Sequence, residues 1–490
     1  MPSESDTKSL PTWNPGIAEL GGRLSTAVAP TPLPDARLLH VDAPLRERLA
    51  DAGLALDDEK LTALTAGALT PEGCAHRASV YGGHQFGVWV PQLGDGRALL
   101  IGELATADGP LELQLKGSGR TPFSRFGDGR AVLRSTIREY LCSAAMRGLG
   151  IPTTGALSMV LSSERVQRET LEPAAALLRT APSHLRFGHF EYFAHGGQHE
   201  ALRRLADWTI ARHFPDFDGD PPDYRGWAAE VVARTAKLIA QWQAAGFCHG
   251  VMNTDNFSVL GLTIDYGPYG FLDRFEPGHV CNHSDHAGRY AWDQQPRVGH
   301  WNCARFLQAL LPLLDDDENQ AVAIATEVLD GYQSRYVDAA LASWRAKLGL
   351  AGADAGDGER VQTFLELLQK NGLDYHDSFR ALAEHAVDGP CPPDWQALDG
   401  FADWWADYAA RAGSAGDAER RERARQTNPV YVLRNHLAQR VIDAAHDGDF
   451  APLDTLMRLL ADPCTRRDGH ADWEGPPPAD TPAVAVSCSS

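Results

Sequence analysis

Over residues 80–180 apolar positions come in short runs separated by Gly-rich turns, and beyond about residue 200 they recur at helical spacing. The first pattern predicts strands over 86–90, 98–102 and 111–116, with Asp108-Gly109-Pro110 as the turn between the last two. It closes on a helix over 131–149, ended by Gly148 and Gly150. The second pattern predicts helices over 202–213, 227–245, 301–350, 360–386, 402–424 and 430–445, with Gly413 and Gly416 breaking the fifth. Residues 1–75 mix Pro-rich loops with short helical stretches such as 45–56. Residues 248–300 are loop-rich, and the Pro/Ala-rich end from Asp468 reads as extended. There is no internal repeat. A sheet followed by helices gives an α+β chain with two lobes.

Composition narrows this plan without changing it. A chain of 490 residues allows two to four compact units, and 43% hydrophobic content supports a large core. A formal charge of −20 argues against a nucleic-acid partner. Only six residues are Lys, against 39 Arg. A Lys that closes an apolar strand, as Lys116 does, therefore invites a specific role. Eight Cys with no CxxC pair indicate a reducing compartment. Residues 1–20 lack the basic start and apolar segment of a signal peptide, and no apolar run approaches the ~18 residues of a membrane helix. The expectation is a soluble, cytoplasmic, bacterial-type chain that is monomeric.

Four segments carry candidate chemistry. Leu93-Gly94-Asp95-Gly96-Arg97 reads as a Gly-rich hairpin that lets backbone N–H groups approach a phosphate, though by itself the motif is also a common hairpin turn. The theme returns at Phe126-Gly127-Asp128-Gly129-Arg130, just before a helix start, a natural anion site. Lys116 on a strand and Glu139 on the following helix have the ion-pair logic of a protein kinase, or are two solvated surface residues. Arg179 and Arg186, seven apart in a segment with Pro and Gly, read as a loop that could clamp phosphates, or as two surface Arg of an Arg-rich chain.

The strongest segment runs from His249 to Gly267. Kinases place Asp-x-x-x-x-Asn in a loop, then a short hairpin, then Asp-Phe-Gly, with the Asn and second Asp holding magnesium. Here His249-Gly250 opens the loop, Asn256 stands seven residues on, the run 258–264 supplies the hairpin, and Asp265-Tyr266-Gly267 completes the set. Hard oxygen ligands suit magnesium. The position of the catalytic Asp is Val251, which can accept no proton; the nearest carboxylate is Asp255. Two readings stay open on these residues: a nucleotide-binding pseudokinase, or an enzyme performing a different transfer from the same nucleotide. Cys281-Asn282-His283-Ser284-Asp285-His286 lacks a second half with zinc spacing.

The segments YGGHQFG, GDGRAVLRSTIREYL, APSHLRFGHFEYF and HGVMNTDNFSVLGLTIDYGPYGF, with Asn428-Pro429-Val430-Tyr431-Val432-Leu433-Arg434-Asn435 further on, resemble the selenoprotein O family of protein adenylyltransferases. The likeness spans at least residues 78–310. It implies a pseudokinase fold and transfer of AMP from ATP to Ser, Thr or Tyr hydroxyls of proteins, with release of pyrophosphate. It implies a nucleotide bound in the flipped sense, which gives Val251 a reason: with the α-phosphate at the acceptor, a base at position 251 has no hydroxyl to serve. By matching motif, Gly94, Gly96 and Arg97 touch nucleotide, Lys116 contacts phosphate with Glu139 supporting it, and Asp128 and Gly129 hold the flipped nucleotide. Arg179 and Arg186 meet the phosphates, Asp255 is the proton acceptor, and Asn256 and Asp265 are the ligands of magnesium, with manganese as an alternative.

Some members end in selenocysteine-Ser-Ser where this chain ends Cys488-Ser489-Ser490, and a redox disulfide between Cys488 and Cys281 is the accompanying hypothesis. The division expected is an N-terminal extension at 1–75, a kinase-like N-lobe at 76–190 with a mainly antiparallel sheet, and a helical C-lobe at 191–330 with the metal loop. A helical C-terminal region at 331–467 and an extended tail at 468–490 complete it. The rival functions are a conventional kinase for protein or small molecule, and a catalytically inactive nucleotide-binding scaffold.

Overall fold

The computed structural model describes residues 13–413 and 416–487. Among these residues thirteen strands come first to last as β1 (Trp13–Asn14), β2 (Ser25–Ala27), β3 (Arg37–Val41), β4 (Arg77–Ser79), β5 (Gly83–Gln85), β6 (Val88–Val90), β7 (Ala98–Thr106), β8 (Gly109–Lys116), β9 (Ala131–Val132), β10 (Gly155–Gln167), β11 (Leu171–Ala181), β12 (Phe247–Cys248) and β13 (Gly270–Phe271). The helices around and after them are α1 (Ala43–Asp51), α2 (Asp58–Thr65), α3 (Leu133–Gly148), α4 (Phe187–His195), α5 (His199–His213), α6 (Tyr224–Ala244), α7 (Gln295–Leu314) and α8 (Glu318–Lys347). Seven more follow: α9 (Asp357–Asn371), α10 (Tyr375–Glu384), α11 (Pro393–Gln396), α12 (Phe401–Ala412), α13 (Asp417–Thr427), α14 (Asn435–His446) and α15 (Ala451–Ala461).

The fold is α+β. Nine strands form one antiparallel sheet in the order β2-β4-β7-β8-β11-β10-β3, with β1 added to β7 and β9 to β11. Strands from residues 13–41 are thus built into the same sheet as those the Gly-rich region supplies. In β8 the period of two separates two environments. Leu111, Leu113 and Leu115 enter a core shared with α1 and α2. Glu112, Gln114 and Lys116 point the other way and are also buried. That second face is a polar layer inside the protein, and α3 crosses the sheet beside it with Glu139 on its cleft side. The helical part is centred on α6, α7 and α8, whose Trp227, Ile239, Phe306 and Tyr332 belong to the largest core.

Several expectations are corrected. The run 86–90 is not one strand: β5 and β6 flank a turn at Phe86-Gly87, where both residues have positive φ (51° and 84°) as a two-residue hairpin of this twist requires. Leu93–Arg97 is not a hairpin. It is a loop that leaves the β5–β6 ribbon and enters β7, which pairs with β8. Its Asp95 is buried and accepts from Ser79 N (2.9 Å) and Ser79 Oγ (2.6 Å), which fixes the loop through a side chain. The predicted helix at 131–149 begins later, because Ala131 and Val132 pair with β11.

The run 258–264 forms no hairpin of its own. Ser258 bridges to Arg186 and Thr263 to Thr153, so its backbone finds partners in other segments. Val430–Leu433 is not helical, since the Val430 and Tyr431 N–H groups donate to Pro463 O. The turn expected at 108–110 falls at Ala107-Asp108, with Gly109 and Pro110 already paired in β8, while the break between α12 and α13 at Gly413 and Gly416 stands as expected. Helix α15, unforeseen, buries Leu453, Leu456, Leu459 and Leu460 against α3. No helix among the described residues is long and apolar enough to cross a membrane.

Candidate active site

Between the sheet and the His249–Gly267 segment lies a cleft of about 570 Å³. Gly94, Gly96, Arg97, Lys116, Asp128, Gly129, Arg179, Arg186, Asp255, Asn256 and Asp265 all line it. Glu139 stands directly behind Lys116. Residues read as four separate motifs therefore share one space.

One corner is crowded with paired charge. Lys116 Nζ is bonded to Glu139 Oε2 and lies 3.6 Å from Asp265 Oδ1. Arg179 is bonded through Nε to the other Glu139 oxygen, reaches Gln114 Oε1 at 3.0 Å and Asp265 Oδ1 at 3.1 Å. Arg186 NH1 donates to Asp255 O (2.8 Å) and lies 3.4 Å from both Asn256 Oδ1 and Asp265 Oδ2, with its guanidinium over the Tyr81 ring. Three cations thus surround two carboxylates. Burial pushes the Asp265 carboxyl up, yet Lys116, Arg186 and Arg179 outweigh it and hold Asp265 well below the usual carboxylate range. Burial and the neighbouring Arg179 bring Lys116 down to about 8 against the pull of Glu139.

Arg179 is not in a loop. It belongs to β11, opposite Gln114 of β8, and strand pairing aims it at Glu139. Arg186 is the residue that precedes α4, in extended conformation. Asp265 sits at φ 59°, a left-handed conformation that Asp tolerates better than most side chains.

Asp255, whose backbone carbonyl accepts from the same Arg186, has a sparsely paired side chain. Asp255 Oδ2 accepts from Gln85 Nε2 at 3.2 Å, and Oδ1 is buried with no hydrogen-bond partner among the described residues. Burial pushes the Asp255 carboxyl up to about 7, against the opposing pull of Arg186 and Gln85. Next to it, Asn256 Nδ2 donates to Val251 O (3.0 Å), which turns Asn256 Oδ1 toward Arg186. Val251 itself lines the cleft, an apolar side chain where an acid was absent from the sequence. His249 is structural: Nε2 meets Ile264 O at 3.1 Å, the ring stacks on Trp242, and burial lowers its pKa.

At the far rim, Asp128 accepts two hydrogen bonds from Arg168 (2.7 and 2.9 Å) and one from Arg130 N (2.9 Å). Sequence reasoning missed Arg168 and Gln85. Gln85 lies within the YGGHQFG segment, yet its partner is 170 residues away. Neither residue carries a periodic or spacing signal.

Cys281 is buried behind the loop, with Sγ 2.9 Å from Pro268 O and 3.4 Å from Cys248 O. Cys488 lies outside the described residues. The chain just before it reaches this region: His283 N donates to Val486 O (2.8 Å), and Val486 is buried beside Asn282. Among the described residues, no group of three or more His, Cys, Asp or Glu side chains is placed to hold a metal.

A family model described as "Protein adenylyltransferase SelO" matches residues 9–461. The chain is 49% identical over 488 residues to "Protein nucleotidyltransferase YdiU" of Methylococcus capsulatus, covering 97% of this chain and 96% of that one. It is 47% identical over 516 residues to the protein of the same name from Ralstonia nicotianae, covering 100% and 98%. A third such protein, from Myxococcus xanthus, is 48% identical over 481 residues, covering 96% and 97%.

Proposed function

The chain belongs to the protein adenylyltransferase SelO family, and from that premise we propose that it transfers AMP from ATP to Ser, Thr or Tyr hydroxyls of other proteins and releases pyrophosphate. The observation that carries this reading is the unequal cleft. Three cations gather around Asp265, the neighbouring Asp255 keeps a buried oxygen without a partner among the described residues, and the apolar Val251 lines the cleft at the sequence position of a kinase's base.

In this reading Asp255 takes the proton of the acceptor hydroxyl. A carboxylate pushed up toward 7 is suited to hold a proton and to release it again near neutral pH. The hydroxyl oxygen bonds to the α-phosphorus as the bond from that phosphorus to the α–β bridging oxygen breaks. Pyrophosphate leaves with the electron pair. Lys116, Arg179 and Arg186 supply fixed positive charge to the phosphates, with no reorganisation at the moment of transfer. Glu139 orients Lys116 and Arg179 by accepting from both. Gly94, Gly96 and Arg97 border the nucleotide on the sheet side, and Asp128 and Gly129 at the far rim.

The donor set fits a hard divalent cation. Asn256 Oδ1 and the Asp265 carboxylate face the same space, and magnesium takes only one or two protein carboxylates beside phosphate and water oxygens. Magnesium, or manganese, held by these two would neutralise charge on the phosphates. We also read 76–190 and 191–330 as the two kinase-like lobes that close on the cleft, with 331–467 as a helical addition. The Lys116–Glu139 pair between strand and helix supports that division. The approach of Val486 to Asn282 supports a redox pairing of Cys281 with Cys488 as part of the same reading.

The test is isotopic. With ATP labelled at the α-phosphate and magnesium present, label is expected on protein, and intact-protein mass spectrometry shows an added AMP. Label arriving only from the γ-phosphate would overturn the reading in favour of a kinase. ATP binding with no transfer of either label would leave a scaffold.

A further inference from the structure

Asp255 is enclosed by segments that leave no room for extra side-chain volume. A Cβ on Gly83 of β5 would lie 2.7 Å from Asp255 Oδ1. One on Gly188, in the first turn of α4, would lie 2.2 Å from Gly82 O and 3.4 Å from Asp255 Cα. Under this junction lies a buried polar chain that the transfer step does not touch. Glu191, on α4, has 0% exposure, as has Thr254, the residue before Asp255. Glu191 Oε2 accepts from Thr254 Oγ1 at 2.5 Å, and Glu191 Oε1 is 2.9 Å from His84 Nδ1. Thr254 Oγ1 in turn accepts from His84 N at 2.7 Å.

A buried carboxylate is costly to desolvate unless its partners are well placed. Glu191 does not line the cleft, so it can reach no phosphate and no acceptor. What it ties together is specific. His84 belongs to β5, the strand whose Gln85 supplies, among the described residues, the one side-chain donor to Asp255. Thr254 belongs to the single turn that carries Asp255. The carboxylate bonds to both, so it sets the distance between the donor strand and the acid.

We propose that Glu191 is a positioning residue for the transfer reaction: through Thr254 and His84 it fixes the Asp255 carboxylate against Gln85 and toward the cleft. This rests on Asp255 being the proton acceptor. A supporting partner of this kind, when lost, typically costs about 10–100-fold in activity.

The test compares Glu191→Gln and Thr254→Val with Thr254→Ser, Asp255→Asn and the double variant Thr254→Val/Asp255→Asn, all in the full chain. The readouts are kcat and KM for AMP transfer, ATP affinity with magnesium, and melting temperature. Glu191→Gln and Thr254→Val are expected to lose about 10–100-fold in kcat while KM for ATP and ATP affinity stay within about twofold. Thr254→Ser should restore most of the rate. The double variant should be no slower than Asp255→Asn alone, because Thr254 acts through Asp255. Wild-type kcat in Glu191→Gln and Thr254→Val, with Asp255→Asn inactive, would overturn the positioning role alone. A further loss in the double variant, or parallel losses of ATP affinity and rate, would overturn it as well. Full activity in Asp255→Asn would overturn the assignment of Asp255 and this inference with it. Should Thr254→Val fail to fold, Glu191→Gln, which keeps shape and volume, carries the test.

Discussion

Two acids of one cleft, Asp265 and Asp255, both neighbour Arg186 yet meet opposite electrostatic surroundings. Around Lys116, each carboxylate is shared among cations: Glu139 accepts from Lys116 and Arg179, and Asp265 is approached by Lys116, Arg179 and Arg186. Asp265 is thereby kept ionised far below neutral pH. At Asp255, one amide donor reaches one oxygen and the other oxygen has no partner among the described residues, so burial dominates and the acid rises to about 7. The first arrangement suits a group that must hold charge in place. The second suits a group that must change its protonation state during a turnover. Two Asp residues ten positions apart in one segment thus become different chemical species through neighbours drawn from elsewhere in the chain.

The contrast can be broken most severely on its charged side. Asp265→Ala is expected to reduce AMP transfer by about 10³-fold or more, since it removes the acid the three cations converge on. Lys116→Ala should fall in the same range, and transfer from α-labelled ATP measures both. Near-normal labelling in either would refute the roles given to this corner. Asp255→Asn keeps the shape and removes the proposed proton acceptor. A loss of about 10²–10⁴-fold in kcat is expected, with ATP affinity retained by calorimetry. A comparable loss of ATP affinity would mean that both acids bind and neither accepts a proton.

A gentler test leaves every charge in place. Gly83→Ala puts a methyl 2.7 Å from Asp255 Oδ1 and 2.9 Å from its Cβ, so the acid must move. A displacement of this size is worth up to about 10²-fold in rate, and it should appear in kcat with KM for ATP unchanged. Unaltered kcat would show that Asp255 has slack.

The smallest effect concerns stability. His189, in the first turn of α4, accepts from Arg186 N and is held neutral down to about 3 by burial and by Arg186. Its folded pKa lies below the unfolded value near 6.5, so it stabilises the fold above about pH 6.5 and progressively less as pH falls toward 3. Between pH 7.5 and 5 that contribution drops by about 2 kcal/mol at most. Urea denaturation of wild type and His189→Asn should show a flatter pH dependence in the variant. Parallel curves would remove His189 as the cause.

Local patterns in the sequence reached far into this site. The spacing from His249 through Asn256 to Asp265 lies within one segment, and Asn256 and Asp265 both line the cleft because the short chain between them keeps them near. Lys116 was legible as well: alternation along 111–116 marks a strand, and a Lys in its polar register is unusual in an Arg-rich chain. Arg179 was read in a loop because Pro182 and Gly188 follow it, whereas strand pairing with β8 extends through Ala181. The hairpin expected at 258–264 failed for a related reason, since its backbone groups are satisfied by Arg186 and Thr153. Competition between local and distant hydrogen-bond partners is not written in a run of residues.

By itself the sequence determined which side chains are available and, through Gly, Asp and Asn at short fixed spacings, how single turns present them. It determined that position 251 is apolar. Only the tertiary structure decided what each acid meets. Gln85 reaches Asp255 across 170 positions, and Glu191 reaches Thr254 across 63. The ionisation of a buried carboxyl depends on the charges, donors and solvent within a few ångströms of it, and those neighbours are set by how distant segments pack rather than by their order along the chain.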